Sequence, residues 1–169
     1  MDGWGARTYG QPCRGCGYSW AISAADARAI VAGVPAALVV DLHGASGDER
    51  IPGLAWSVTA YVAHVGDNLR IWAERIAGIT AGAATGVAGY DENELATARA
   101  YDELRLEGVM WSLGHAVRDW LDAVGAAPPD LEIVHPHRGV LTLTDVVRSN
   151  AHDAAHHRHD IGRILGGER

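Results

Sequence analysis

Four of the nine histidines lie close together in the run Asn150-Ala-His152-Asp-Ala-Ala-His156-His157-Arg-His159-Asp160. The surrounding residues have the apolar spacing of an amphipathic helix, in which residues four apart lie on the same face. His152 and His156 could therefore present two imidazoles to one metal ion. His159 lies close to the same face two turns after His152, so a pairing of His156 with His159 stays open. The competing interpretation is a solvated helix end that binds no metal.

Two imidazoles leave a metal site incomplete, and His64 is the best candidate for a third ligand. It lies within the predicted helix 54–79, on a face from which it can point into a helical bundle. The competing interpretation is a core histidine that hydrogen-bonds with a neighbour such as Asp67 or Asn68.

The only two cysteines form a second motif, Cys13-Arg-Gly-Cys16-Gly17-Tyr18. A C-x-x-C-G sequence is typical of a zinc knuckle, because glycine lets the backbone turn tightly beside the sulfur atoms. The motif supplies only half a site, which His135 and His137, or a second chain, could complete. A redox dithiol and two reduced cysteines without a special role are the alternatives.

Length and charge indicate one globular domain of acidic character. The chain has 169 residues, 14 basic and 21 acidic side chains, a net charge of −7 and an isoelectric point near 5.6. This balance argues against nucleic acid or an anionic membrane as a partner, since both require a basic surface. The N-terminus has no signal-peptide pattern, and the longest apolar run is too short to span a bilayer, so we expect a cytoplasmic protein.

The apolar spacing predicts an all-α protein. Residues 1–19 read as an irregular segment that carries the cysteine motif, and residues 20–169 read as a helical bundle. Thr142 and Asp145 predict a capping box at the start of the last helix. The connector 131–139 has room for a short extended piece. The other predicted helices cover 23–32, 35–43, 54–79 and 91–124.

Two segments in this order resemble the DinB-like superfamily of metalloenzymes. The segment from Tyr61 to Ile76 resembles the second helix of these proteins, and the run from His152 to Ile161 resembles their last helix. The superfamily includes mycothiol-dependent maleylpyruvate isomerases and bacillithiol transferases. The resemblance implies an up-down-down-up four-helix bundle, here with short extra N-terminal helices. It also implies one divalent metal ion bound by His64, His152 and His156.

Three imidazoles would leave an open coordination position, which is a catalytic arrangement. Zinc suits these ligands best, with nickel or iron as alternatives. The ion could lower the pKa of a bound water or thiol, or polarise a carbonyl. Asp67 and Asp160 could orient ligand imidazoles from behind, or be ordinary surface carboxylates.

The resemblance favours a metal-dependent thiol S-transferase or isomerase that uses a thiol such as mycothiol on a small electrophile. The alternative is a metal-binding stress or detoxification protein without turnover. Long helices with many small and aromatic residues, together with the resemblance, lead us to expect a homodimer.

Overall fold

The structure is a computed structural model that describes residues 4–166 of the 169-residue chain. Four long helices form the body of the protein, with shorter elements between them. In chain order the elements are α1 Ala6–Tyr9, α2 Ala24–Asp41, α3 Val58–Thr80, α4 Glu92–Ala98, a 3-10 turn Tyr101–Glu103, α5 Leu106–Ala126, β1 Glu132–His135, β2 Gly139–Thr142 and α6 Leu143–Ile164. No described helix is both long enough and apolar enough to cross a membrane.

The helices α2, α3, α5 and α6 form a four-helix bundle in which α2 and α3 each pack against both α5 and α6. The long connection 81–105 lets the chain cross the bundle before α5 begins. The prediction of an all-α, up-down-down-up four-helix bundle is confirmed, with one small hairpin added to it.

Helix α3 is the central element of the bundle. The Ser57 side chain caps it by accepting a hydrogen bond from the Ala60 amide. Every residue from 58 to 69 is buried, so this half of the helix has protein on all sides. His64 therefore lies inside the bundle, as its predicted face requires.

Helix α2 is longer than the sequence predicts. Two helices were expected on either side of residues 33 and 34, but α2 continues through Pro35. Proline removes one backbone hydrogen bond inside a helix. The side chains of Val31, Val34 and Leu38 are at most 3% exposed, and their burial in one core holds the helical backbone together across the proline.

Helix α6 begins where the sequence predicts. The Thr142 side chain accepts a hydrogen bond from the Asp145 amide, and the Asp145 carboxylate accepts one from the Thr142 amide, so the capping box is confirmed. The helix ends at Ile164, and Gly166 has the left-handed φ of 77° that glycine tolerates. Gly167 lies outside the described residues.

The single helix predicted over 91–124 is wrong, because the chain breaks between α4 and α5. Ala100 adopts a left-handed conformation with φ 49°, and Leu104 is extended. The break lets Tyr101 turn inward to 2% exposure, where its hydroxyl donates a 2.7 Å hydrogen bond to Asp67 of α3. Arg99 lies 2.8 Å from the same carboxylate. Helical periodicity could not reveal this tertiary contact.

The hairpin and the N-terminal segment both pack against the bundle core. In the antiparallel hairpin Ile133 pairs with Leu141, and both side chains are fully buried. In the N-terminal segment Tyr18 is 6% exposed, and its hydroxyl donates a 2.9 Å hydrogen bond to the carbonyl of Arg148 in α6. The Arg148 side chain donates in return to the carbonyl of Ile22 at 2.8 Å.

Replacing Tyr101 with phenylalanine tests the contact that breaks the helix. The variant should lose about 1.5–3 kcal/mol of unfolding free energy in urea denaturation, because the buried Asp67 carboxylate loses a hydrogen bond. Tyr90→Phe is the matched control, since its longer 3.2 Å bond goes to an uncharged amide. Equal losses in the two variants would contradict this account.

Candidate metal centre

Most of the predicted chemistry lies around one cavity of about 530 Å³, between the N-terminal segment, α3, the hairpin and α6. Helix α3 contributes one face to it, with His64, Asn68, Trp72 and Arg75 at helical spacing. Helix α6 contributes a stripe that contains Ser149, His152, Asp153, His156 and His157. The size is that of a small-molecule binding site.

The first group of metal-type ligands in the cavity joins α3 to α6. His64, Asp153 and His157 can each place one donor atom within 4.8 Å of the donor atoms of the other two, and we call them the His–Asp–His cluster. The Asp153 Oδ1 atom lies 3.4 Å from the His64 Nε2 atom and 3.5 Å from the His157 Nε2 atom. Asp153 and His157 are four residues apart and therefore share a helix face.

Further contacts fix the orientation of this cluster. The Asn68 amide donates a 2.9 Å hydrogen bond to the other Asp153 oxygen. On the far side of the His157 ring, the Nδ1 atom lies 3.3 Å from the Asp160 carboxylate. Asp153 and His157 are thus each held by a further polar group, whereas the Nδ1 atom of His64 is buried and has no hydrogen-bond partner among the described residues.

The carboxylates also determine the charge of the cluster. Burial lowers the pKa of His157, but Asp153 and Asp160 raise it by more, to about 9. Burial opposes ionisation of Asp153, yet the two imidazoles beside it hold its pKa well below the usual range. Without a metal ion the cluster is therefore an ion pair between His157 and Asp153 at neutral pH.

The second group joins the N-terminal segment to α6. Cys13, Cys16, His152 and His156 also place donor atoms within 4.8 Å of one another, and we call them the Cys–His cluster. The Cys13 sulfur lies 3.7 Å from the His156 Nδ1 atom. Both cysteines are free thiols, and Cys13 is 3% exposed.

Aromatic rings surround His152 in this cluster. The ring centroids of Tyr9, Trp20 and Tyr18 lie 4.6, 4.5 and 5.3 Å from that of His152. Burial, followed by the proximity of His156, lowers the pKa of His152 to about 4. His152 is therefore neutral at physiological pH, which is the state of a metal-binding imidazole.

The structure distributes the predicted ligands over these two clusters. His64 lies with Asp153 and His157, whereas His152 and His156 lie with the cysteines. All five line the same cavity, but the three predicted histidine ligands do not form one close set among the described residues. The assignment of one ion to His64, His152 and His156 stays a prediction, and the geometry favours a different grouping.

The other predicted site residues lie as follows. His135 and His137 do not approach the cysteines closely enough to share an ion; their rings are 6.0 Å apart in the hairpin, on the cavity wall. Asp67 is bound to Tyr101 and Arg99, away from both clusters. Asp160 lies directly behind His157.

The alternative ligand His159 lies outside this cavity. It is exposed and lines a separate groove of about 820 Å³ between α2 and α6, next to the ion pair of Arg158 with Asp41. The pairing of His156 with His159 therefore receives no support from the geometry.

Sequence reasoning missed Asp153 and His157 as a pair of ligands. The signal was present, because the two residues have the same four-residue spacing as His152 and His156 and lie one position further along the helix. The two pairs overlap on one helix, and their spacing alone does not show which pair faces a neighbouring element that supplies a further ligand.

The cavity also contains cationic groups that no motif indicated. The Arg75 guanidinium lies over the Trp72 ring at 4.7 Å, and burial lowers its pKa. Its Nη1 atom is buried and has no hydrogen-bond partner among the described residues. Arg138 reaches the same wall, where its Nη1 atom donates to the Ser149 hydroxyl at 3.1 Å.

Comparisons with known proteins agree with this architecture. No curated protein sequence matches the chain. Among solved structures, YfiT from Bacillus subtilis matches with a TM-score of 0.69 at 17% sequence identity, over 85% of this chain and 87% of its own. YfiT is described as a probable metal-dependent hydrolase with an unusual four-helix bundle topology. The family model of the DinB superfamily matches residues 31–161, most of the chain and both motif segments, and the protein therefore belongs to the DinB superfamily.

Proposed function

We propose that the protein is a metal-dependent enzyme whose divalent ion is bound by His64, Asp153 and His157. The observation that carries the proposal is the spacing of the donor atoms, 3.4 and 3.5 Å from Asp153 Oδ1 to the two imidazole nitrogens. These distances are long for N–H···O hydrogen bonds, which cluster near about 2.9–3.0 Å. They match the roughly 3.4 Å that separates two ligands of one tetrahedral zinc ion, given Zn–N and Zn–O distances of about 2.0–2.2 Å.

The donor set also fits a catalytic ion. Two imidazoles and one carboxylate leave coordination positions open, as in catalytic zinc sites and in non-haem iron sites. Zinc, nickel and iron(II) all accept these ligands, and we expect zinc. When bound, the ion would act as a Lewis acid and lower the pKa of a thiol or water in the cavity.

The residues around the cluster would prepare it for this task. Asp160 keeps His157 in one orientation, and Asn68 holds the second oxygen of Asp153. The Trp56 ring lies 4.9 Å from the His64 ring and packs against it. An ordered cluster requires little rearrangement when a substrate enters.

Arg75 and Arg138 support an anionic substrate. An arginine nitrogen that is buried without a partner is costly, and a carboxylate or phosphate in the cavity would satisfy it. The cavity has positive groups at one end and the metal-type ligands at the other. A small electrophile that carries a carboxylate fits both ends.

For the reaction we propose thiol transfer by a low-molecular-weight thiol such as mycothiol. The thiolate sulfur would form a bond to the electrophilic carbon, the leaving group would depart with the bonding electrons of the broken bond, and the thiol proton would pass to solvent. The family resemblance supports this reaction. Hydrolysis is the second candidate, because YfiT of the same fold is described as a probable metal-dependent hydrolase. A non-catalytic metal-binding protein is the remaining alternative.

Single replacements measured by metal analysis test the ligand assignment. Measured in protein whose Cys13 and Cys16 are replaced by serine, so that the Cys–His cluster adds no ion to the count, His64→Ala and His157→Ala should lose one ion per chain after dialysis against zinc and removal of excess metal, whereas His152→Ala should retain it. His159→Ala is the matched control on an exposed face of the same helix. If His152→Ala loses the ion that His64→Ala loses and His157→Ala retains it, the three-histidine site is correct and ours is wrong.

The activity is tested with chloronitrobenzoate and its uncharged methyl ester, each with mycothiol or cysteine as the thiol. We expect thioether formation and chloride release that require the metal, and none in His157→Ala. Arg75→Gln should raise the KM for the carboxylate about tenfold or more but not for the ester, since a charge-assisted hydrogen bond contributes about 1.5–3 kcal/mol. Arg105→Gln is the control, because its side chain is 86% exposed.

The other outcomes of this assay identify the alternatives. Metal-dependent hydrolysis of the ester without any thiol would show that the protein is a hydrolase and would contradict the thiol-transfer proposal. A metal-loaded protein that turns over neither substrate with either thiol would favour the non-catalytic binding protein.

We also propose that the protein forms a homodimer. The resemblance to the DinB-like superfamily supports this proposal, and the exposed apolar side chains of Val40 in α2, 74% exposed, and Trp111 in α5, 71% exposed, are available for an interface. Sedimentation velocity at micromolar concentration should give a dimer, and Trp111→Glu or Val40→Glu should shift it toward monomer if the residue lies in the interface. A wild-type protein that sediments only as a monomer would exclude the dimer.

A further inference from the structure

We propose that Cys13, Cys16, His152 and His156 bind a second metal ion, a zinc ion in a closed tetrahedral site that fastens the N-terminal segment to α6. This site is independent of the His–Asp–His cluster and does not rest on the proposed enzymatic function. It takes the cysteines from a segment before residue 31, where the family match begins, and the histidines from inside that match.

The donor set is complete and has the geometry of one ion. Four donor atoms lie within 4.8 Å of one another, and the Cys13 sulfur is 3.7 Å from the His156 Nδ1 atom. Zinc bonds of about 2.3 Å to sulfur and about 2.0–2.1 Å to nitrogen place such a pair roughly 3.6 Å apart in a tetrahedron. The spacings C-x-x-C and H-x-x-x-H are those of structural Cys₂His₂ zinc sites.

The loop between the cysteines is shaped to receive the histidine. A Cβ atom added at Gly15 would lie 2.8 Å from the His156 Cε1 atom, so only glycine lets the imidazole lie against this loop. Gly17 has a φ of 76°, and its amide donates a 2.9 Å hydrogen bond to the Cys13 carbonyl, which closes the turn. The limited space at Gly15 and the positive φ at Gly17 thus each favour glycine in this loop.

An unsatisfied buried atom provides a separate argument for a ligand. His152 is 6% exposed, and its Nε2 atom has no hydrogen-bond partner among the described residues. A buried polar atom without a partner requires an explanation, of which an ion is one. Ligation of an ion through Nε2 would satisfy the atom.

A metal ion at this site would hold in place the part of the N-terminal segment that lines the cavity. Tyr9 and Trp20 line the cavity and belong to the segment on either side of the cysteines. The described part of this segment has one four-residue helix, and its backbone–backbone hydrogen bonds lie within the segment, so they do not fasten it to α6. Zinc ligation would supply folding energy to the segment and fix both rings.

Cobalt substitution and metal analysis test this site. With Co²⁺ as the probe, the wild-type protein should show a sulfur-to-metal charge-transfer band and the intense visible bands of a tetrahedral ion. Cys13→Ser, His152→Ala and His156→Ala should each lose the band and one zinc per chain, while far-UV circular dichroism shows an intact bundle. His64→Ala and His157→Ala should keep the band, and His137→Ala should keep it as well.

Gly15→Ala gives a test in which all four ligands remain. The added methyl group should weaken zinc binding about 10–100-fold, the usual effect of disturbing the surroundings of a metal ligand. Arg14→Ala in the same exposed loop is the control and should leave the affinity unchanged. Trypsin should cleave zinc-loaded protein slowly at Arg14, and Cys13→Ser much faster.

The outcomes separate this proposal from the enzymatic one. No thiolate band in folded wild-type protein with reduced cysteines, or a band that survives in both His152→Ala and His156→Ala, would overturn the zinc site. Loss of the band in His137→Ala would show that the hairpin supplies a ligand and would contradict the proposed ligand set. The zinc bound by His64 and His157 is counted in Cys13→Ser, so loss of that ion there would show that the two sites are not independent.

Discussion

The rotation of about 100° per residue along α6 is the constraint on which the rest of the site depends. Two pairs of ligands on this helix have a four-residue spacing, and the second pair begins one residue after the first. His152 and His156 consequently face the N-terminal segment, while Asp153 and His157 face α3. One helix can therefore serve two neighbours with two chemically different sets of donors, one soft with thiols and one hard with a carboxylate.

The second constraint is the apolar interior, which tolerates polar groups only when they are paired. Asp153 is stabilised by imidazoles on two sides and by the Asn68 amide. Arg75 differs from it, because stacking on Trp72 leaves one of its nitrogens buried without a partner. Buried nitrogen atoms without a hydrogen-bond partner among the described residues occur in both clusters, at His64 Nδ1 and His152 Nε2, and at the cationic end of the cavity, at Arg75 Nη1.

The bundle topology explains why these groups meet. The long connection after α3 crosses the bundle, and its break at Ala100 lets Tyr101 bind Asp67, a residue of α3 that does not line the cavity. The hairpin covers one end of the cavity, and the N-terminal segment covers another. The family match leaves this segment out, so the part of the cavity that it forms is a feature of this chain beyond the matched region.

The sequence by itself determined the bundle, the capping box of α6, the burial of His64 and the family, because apolar period and short-range caps are local properties of the chain. It also identified His64 and the four members of the Cys–His cluster as candidate metal ligands, but not Asp153 and His157. Only the tertiary structure decided which of them meet. Helical spacing places His152, Asp153, His156 and His157 on adjoining faces but does not say which neighbour each face contacts. The separation of 136 residues between Cys16 and His152 leaves no trace in any local pattern. The partners of a ligand depend on how distant elements pack, and that information is not contained in the spacing of one helix.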